Sequence, residues 1–402
     1  MAERLVGKVL VGQSGGVTDV VNSSLAGVVQ EAQRHDEVTG VLGMRFGIQG
    51  LLADQLLDLD HNDRETIEAL RQMPAAALGT CRYKLKPGDV ERVVETCRRH
   101  DVRYFFYIGG NDSADTSHRV AEAALAVGYP LRVVGVPKTI DNDLPITDHC
   151  PGYGSIARFV ASAVADAGRD TEANRYVDPI KIVEVMGRNA GWVAAASALG
   201  KHTAEDAPHL IYFPERPLSV ERFLADVQRV YDQLGFAVVV VTETIRDEEG
   251  RPLAEEGSDR NDAFGHRRLA GAANRLANLI GDRLGVRARW DKPGTIQRSL
   301  MATVSPVDLA EAYLVGQMAV RYALQGEHNQ MVILVRDEDP EYQCRTGLAP
   351  LTAIANQEKV LPAAFIAPEG NQVTPAFLDY ARPLIGPPLP NYPRLRWQQW
   401  PR

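Results

Sequence analysis

Six short apolar runs, KVLVG, RYFFYIGG, LRVVGVP, KIVEVMG, LIYFP and FAVVVVTE, recur along the chain with helix-period segments between them. Runs this short, bounded by Gly or Pro, read as strands buried on both faces. Helices of about ten to fifteen residues between them give βαβ units and a parallel sheet. The spacing predicts helices over 22–35, 90–100, 113–127, 155–167, 220–234 and 266–284, and one running through Gly200. The fold class is therefore α/β, doubly wound. A chain of 402 residues, 45 % of them hydrophobic, is too long for one ordinary core, so about two or three domains are expected.

Charge and apolar length narrow the setting. The net charge is −8, and Lys and Arg are scattered through helical segments without forming a run, which argues against nucleic acid or an anionic membrane as partner. Every apolar stretch falls far short of the ~20 residues that span a bilayer. The opening MAERLVGKVLVG lacks the apolar core and cleavage site of a signal peptide, so a cytoplasmic protein is expected. Cys81, Cys97, Cys150 and Cys344 lie far apart without CxxC spacing and read as reduced structural thiols. The nine histidines include no HExxH pair, so a dedicated zinc site is not expected. The polar, unpatterned segment 246–265 reads as a surface loop, lid or disordered insertion. The Pro- and aromatic-rich tail 384–402 is expected to lie extended over the surface, at a subunit contact.

In open α/β sheets ligands collect beyond the carboxyl ends of strands, where loops lead into helix N-termini whose N–H groups attract anions. The polar residues after each apolar run are thus the candidates. GQSGGVTDVVN places Gly12, Gly15 and Gly16 before a helix, as a phosphate cradle or a plain tight turn, since the spacing matches neither GxGxxG nor GxxxxGK[ST]. GGNDS offers Ser113 as a helix N-cap, with Asn111 and Asp112 left over. A carboxylate beside a phosphate-binding turn makes sense if Asp112 holds Mg²⁺ or excludes a bulkier phosphate.

PKTIDNDLP packs Lys138, Asp141 and Asp143 into six residues. Such aspartates often bond their own backbone. Lys138 adds a second meaning: beside it Asp141 would stay ionised and could take a proton from an attacking hydroxyl, while the ammonium meets a phosphate oxygen. In MGRNAGW, Arg188 offers a forked donor to phosphate, and Glu243 after FAVVVV suits sugar hydroxyls. A surface arginine and a capping glutamate read equally well. Arg298 in PGTIQRS and Arg289 before it are further cations, or a solvated basic face.

Taken in order, SGG followed by Asn22, GTCRYKL with Arg82, GGNDS, PKTIDNDL, VEVMGR, VTE and GTIQRS resemble the phosphofructokinase family over residues 8–335. The resemblance implies two Rossmann-like α/β domains with mostly parallel sheets and a site between them. A phosphoryl-donor domain would comprise 1–152 plus about 297–345, and a sugar-phosphate domain about 153–296 plus 346–402. It implies transfer of a phosphoryl group to the 1-hydroxyl of fructose 6-phosphate, with Asp141 as proton acceptor and Asp143 in support. Thr139, Ile140, Met186, Gly187, Arg188 and Glu243 would contact the sugar phosphate, with Arg298 and Thr295 near its 6-phosphate. Gly15 and Arg82 would face the donor. Arg289 matches an arginine lent to a neighbouring subunit's site, which implies a homodimer or higher homo-oligomer.

Family members using ATP resemble GGDGS and PGTIDND, whereas those using inorganic pyrophosphate carry aspartate and lysine at the positions of Asp112 and Lys138. The resemblance therefore implies pyrophosphate as donor, Asp112 repelling a nucleotide's α-phosphate and Lys138 stabilising the departing phosphate. Mg²⁺ is implied as cofactor, held through Asn111 and Asp112, with Asn111 replacing the family's usual aspartate. Thr295 stands where many members have His or Tyr. For a second neighbour-lent arginine, Arg175 and Lys181 are the candidates. An ATP-dependent enzyme or a non-catalytic regulatory subunit of the same fold are the alternatives. A nicotinamide oxidoreductase lacks its GxGxxG here.

Overall fold

The computed structural model describes residues 4–253, 271–339 and 341–395. Its eleven strands are β1 (Gly7–Gln13), β2 (Val38–Met44), β3 (Leu56–Asp58), β4 (Val102–Gly109), β5 (Arg132–Pro137), β6 (Ile180–Val185), β7 (Leu210–Tyr212), β8 (Ala237–Thr242), β9 (Ala288–Asp291), β10 (Gln330–Arg336) and β11 (Cys344–Pro350). All six apolar runs form strands. They divide between a seven-stranded sheet in the order β11-β10-β5-β4-β1-β2-β3 and a four-stranded sheet in the order β7-β8-β6-β9. Pairing is parallel throughout the second sheet, and parallel in the first except at its two edges, β2 with β3 and β10 with β11.

Alternation along the central strands explains why helices cover both faces. In the first sheet Val9, Val11, Tyr104, Phe106, Val134 and Val136 pack under the helices Val21–Ala32 and Pro306–Leu324. Leu10, Phe105, Tyr107 and Val133 point the other way, under Asp89–Arg99 and Asn111–Ala126. The second sheet repeats the scheme. Val183, Val185, Val238 and Val240 face the helices Tyr153–Ala173 and Trp192–Ala196, while Ile182, Val239 and Val241 face Val220–Leu234 and Ala272–Leu284.

Several elements lie outside the sequence expectation. β2 is broken by glycines, β9 reads ARWD, and the helix Pro306–Leu324 is apolar on nearly all sides, so none of them shows a clean period. β11 keeps residues 344–350 on the first sheet, beyond the division expected near 345. Ser113 does not cap its helix, which begins at Asn111 with Gly110 as N-cap. Ser113 is buried in the first turn instead, because Gly109 lets its hydroxyl approach where a Cβ would lie 2.0 Å away. The helix expected over 266–284 is seen as Ala272–Leu284, and residues 266–270 lie outside the described residues. The same holds for 254–265 of the expected loop. Its described start, 246–253, is a tight turn in which the Asp247 carboxylate accepts from the N–H groups of Glu249 and Arg251. The tail runs along the helix Tyr153–Ala173, where Arg158 donates to the Ile385 and Pro387 carbonyls and Arg394 pairs with Glu172 and Asp206. Residues 396–402 of that tail lie outside the described residues.

Helix Tyr153–Ala173 passes the chain from the first sheet to the second, and its N-terminus is capped from the first. The Asp308 carboxylate, on the helix Pro306–Leu324, accepts from Gly152 N–H, Ser155 N–H and the Ser155 hydroxyl at 2.8, 2.8 and 2.6 Å. Beside this joint the His149 imidazole lies between Asp148 (2.8 Å) and Glu311 (2.6 Å), whose hydrogen bonds and charges raise its pKa to about 9 against the effect of burial. The joint is thus a polar, hydrogen-bonded one that fixes the loop between β5 and that helix. All four cysteines are free thiols, and burial pushes Cys97 and Cys150 up to about 12. Among the described residues no helix is long and apolar enough to cross a membrane.

Candidate active site

In the first sheet β1 lies between β4 and β2, so the chain winds outward in both directions from that point, and a crevice opens beyond the strand ends there. The turns after β1, β4 and β5 meet in it. The second sheet contributes the turns after β6 and β8. Two adjoining cavities result, one of about 510 Å³ and one of about 210 Å³. Gly15, Asn111, Asp112 and Asp143 line the larger. Ile140, Met186, Gly187, Glu243 and Arg298 line the smaller. Gly16, Arg82, Lys138, Thr139, Asp141 and Arg188 line both, and so form the waist between them.

The glycine turn after β1 is more than a tight turn. Gly15 takes φ +75°, and a Cβ on Gly16 would lie 2.6 Å from Arg298 Nη1, so only glycine lets that guanidinium close in. Lys138 Nζ donates to the Gly16 carbonyl at 2.6 Å. Asn22, four-square behind the turn, is structural: its Oδ1 accepts from Gln13 Nε2 and Ala77 N–H, both at 2.8 Å. Three cations, Lys138, Arg82 and Arg298, thus converge on one backbone turn. Burial, then Arg298 and Arg82, lower the Lys138 pKa to about 7, opposed by Asp141 and Asp143.

The loop after β5 aims the two carboxylates. Lys138 N–H donates to the Gly109 carbonyl and Thr139 N–H to that of Pro151, which fixes both ends of the turn. Thr139 Oγ1 accepts from Asp141 N–H at 3.1 Å, and its hydroxyl bonds Asp143. Asn142 between them adopts φ +53°, held by Cys150 N–H donating to its Oδ1 and by its own Nδ2 donating to Tyr380 OH. Lys138 favours the ionised form of Asp141, as expected, but it is not the strongest influence on that carboxyl. Burial and the nearby Glu243 raise the Asp141 pKa and outweigh Arg188, Arg298 and Lys138. Burial and Asp141 raise Asp143 likewise, and its Oδ1 is buried with no partner among the described residues. The pair is poised near neutrality, where a carboxylate accepts a proton most usefully.

On the second sheet, Glu243 follows β8, and its N–H donates to the Val185 carbonyl. Burial raises its pKa and Glu184 adds to that, while Lys292, paired to Glu184 at 2.9 Å, opposes it. Gln297, fully inside, accepts from Met186 N–H at 3.1 Å and donates to the Gly294 carbonyl, which fastens the 3₁₀ turn Gly294–Arg298 to the end of β6 and so places Arg298. Two expected residues lie away from both cavities. Arg289, 53 % exposed on the edge strand β9, pairs with Asp178 at 2.7 Å, and Thr295 is exposed on its turn. Of the further candidates, Lys181 pairs with Asp291 at 2.7 Å and Arg175 stacks on Tyr176.

Sequence reasoning missed part of the larger cavity's wall: Asn189, next to Arg188, and the stretch Asn356, Gln357 and Glu358. Asn189 could have been found from MGRNAGW. Residues 356–358 carry no pattern, and only the fold brings them there. The oxygen-rich set of Asp112, Asp143 and Asn111, whose Oδ1 is buried without a partner among the described residues, fits a hard divalent cation.

The Phosphofructokinase family model matches residues 8–323. The chain belongs to the phosphofructokinase family. Within that family it is 42 % identical over 380 residues to the pyrophosphate–fructose 6-phosphate 1-phosphotransferase of Halomonas elongata, covering 93 % of this chain and 90 % of that protein. It is 43 % identical to the protein so named from Methylococcus capsulatus, covering 94 % and 92 %. The crystal structure of the pyrophosphate-dependent phosphofructokinase from Marinobacter aquaeolei, a family member 38 % identical, superposes with a TM-score of 0.87 over 97 % of this chain and 94 % of that one.

Proposed function

We propose that the protein transfers a phosphoryl group reversibly from inorganic pyrophosphate to the 1-hydroxyl of fructose 6-phosphate, giving fructose 1,6-bisphosphate and phosphate. The observation that carries this reading is Lys138 at the waist of a cleft whose larger cavity also presents Asp112. The larger cavity takes pyrophosphate and the smaller takes the sugar phosphate. Relatives about 42 % identical that bear this activity in their names support the assignment.

Asp141 accepts the proton of the 1-hydroxyl as its oxygen bonds to the nearer phosphorus. The bridging P–O bond of pyrophosphate breaks, and Lys138 meets the charge that develops on the departing phosphate. Arg82 and Arg188, also at the waist, hold the phosphoryl group in line. Glu243 bonds sugar hydroxyls and Arg298 the 6-phosphate. Mg²⁺ would be held by Asp112 and Asn111, and it supplies charge neutralisation of the transferring group. Arg289 reaches a neighbouring subunit's sugar site in a cytoplasmic homodimer, a role supported by its edge strand and by the exposed Tyr176, Val177, Trp290 and Ile296 of the second unit.

Purified protein given fructose 6-phosphate and Mg²⁺ should form the bisphosphate with pyrophosphate and not with ATP. Turnover with ATP alone would overturn the reading.

A further inference from the structure

Residues 356–359 form a brace with three anchors, and each anchor belongs to a different part of the cleft. Asn356, in the left-handed region at φ +58°, donates from Nδ2 to Asp115 Oδ1 at 3.0 Å, on the helix that carries Asn111 and Asp112. Asn189 Nδ2 lies 3.0 Å from both carboxylate oxygens of Glu358 and comes from the turn after β6 that carries Arg188. Lys359 N–H donates to the Asp143 carbonyl at 2.7 Å. Its Nζ donates to the carbonyls of Thr147 and Asp148 at 3.0 and 2.9 Å, over the Trp192 ring.

The brace lines the larger cavity and not the smaller. Its one charged group facing that cavity, Glu358, is held by a neutral amide, so its negative charge is not cancelled at the contact. A carboxylate on the wall of a polyanion site that is not part of the cation-holding set contributes nothing to holding the anion. It discriminates against whatever brings more negative charge to that wall.

Resting on the assignment of pyrophosphate to this cavity, we propose that Glu358, held in place by Asn189, sets the length of donor the cavity accepts. A donor of two phosphates ends short of it, whereas a third phosphate is repelled. Discrimination between donors is then spread over both units. Asp112 acts from the first sheet, and Glu358 from the C-terminal stretch pinned to the second.

Inorganic tripolyphosphate is the probe. If its terminal phosphoryl group is transferred, its bridging P–O bond breaks, the sugar oxygen bonds to that phosphorus, the hydroxyl proton goes to Asp141, and pyrophosphate leaves. The readout is the ratio of kcat/KM for tripolyphosphate to that for pyrophosphate, measured with Mg²⁺ on the full-length protein. This ratio is internal to each variant, so a change in the folded fraction does not move it. Glu358→Gln keeps the shape and the bond to Asn189 but removes the charge, and should raise the ratio by about tenfold or more. Asn189→Ala frees the carboxylate without removing it and should raise the ratio by about threefold. An unchanged ratio in Glu358→Gln overturns the proposal even if both rates fall together, since that outcome leaves the brace only a positioning role through Lys359. A wild-type protein that uses ATP and ignores pyrophosphate would instead sink the functional reading itself.

Discussion

The two halves of the cleft are built on different plans. The larger half is shaped by backbone, with glycine turns and the start of the helix Asn111–Ala126, and carries carboxylates on its wall. The smaller half is shaped by side chains, with Arg298 and Glu243 projecting from the second unit and Gln297 holding their support. Six residues belong to both halves. The difference teaches where each property of the enzyme is located. On the proposed function, donor identity is decided by which charges the larger half tolerates, acceptor identity by what the smaller half can hydrogen-bond, and chemistry by the shared waist.

The sharpest way to break this division is Asp141→Asn. The change keeps the shape of the waist and removes its proton acceptor, so kcat should fall by about 10² or more while the KM values for pyrophosphate and fructose 6-phosphate move by no more than about threefold. Steady-state kinetics of both substrates checks this. A large rise in either KM with kcat preserved would make Asp141 a binding group of one half and dissolve the waist.

The pH dependence separates the halves next, with effects of about tenfold per pH unit on each limb. In its proposed role as the base, Asp141 has its pKa raised by burial and Glu243, so the rate should climb as pH rises through about 6. In its proposed role as the cation facing the donor, Lys138 has its pKa lowered to about 7 by burial with Arg298 and Arg82, so activity that needs its charge should fall above that pH. The two limbs are read differently by the two substrates. With the sugar saturating, kcat/KM for pyrophosphate reports a vacant larger half and should fall above pH about 7. With pyrophosphate saturating, the bound polyanion keeps Lys138 protonated, and kcat/KM for fructose 6-phosphate should hold its plateau to higher pH. Coincident alkaline limbs would mean that Lys138 does not face the donor.

Much of this layout is legible in the sequence, for a reason that also marks its limit. Fully buried strands announce themselves as apolar runs, and a parallel sheet presents its site at the strand ends, so Gly15, Asp112, Lys138, Asp141, Arg188 and Glu243 stand directly after recognisable strands. What escapes is whatever lacks a period or acts at a distance. β9 is a charged edge strand, Gln297 works by holding Arg298, and Glu358 arrives from a stretch remote from every motif. Charge balance escapes too. Lys138, Asp141 and Asp143 are neighbours in sequence, but how much each is desolvated depends on how the two units close over them.

That desolvation yields the smallest of the expected effects, and it sets a buried carboxylate against an exposed one within the same cavity. Burial and Asp141 raise the pKa of Asp143 to about 7, above its ordinary value near 3.8. A raised folded-state pKa contributes stability that is fully present below the unfolded pKa and is lost as pH rises through about 7, so above that pH the ionised Asp143 costs stability. Asp143→Asn removes that cost while keeping an acceptor for the Thr139 hydroxyl. Its melting temperature should exceed that of the parent by about 2 to 5 °C at pH 8, with the gap shrinking toward pH 5. Asp112→Asn, at an exposed position in the first helical turn, should shift stability by no more than about 1 kcal/mol at either pH. Thermal melts of the two variants at both pH values make the comparison. A pH-independent gap for Asp143→Asn would show that its carboxylate is solvated in the folded state, and that the enzyme gives up no stability to keep a second buried carboxylate beside its base.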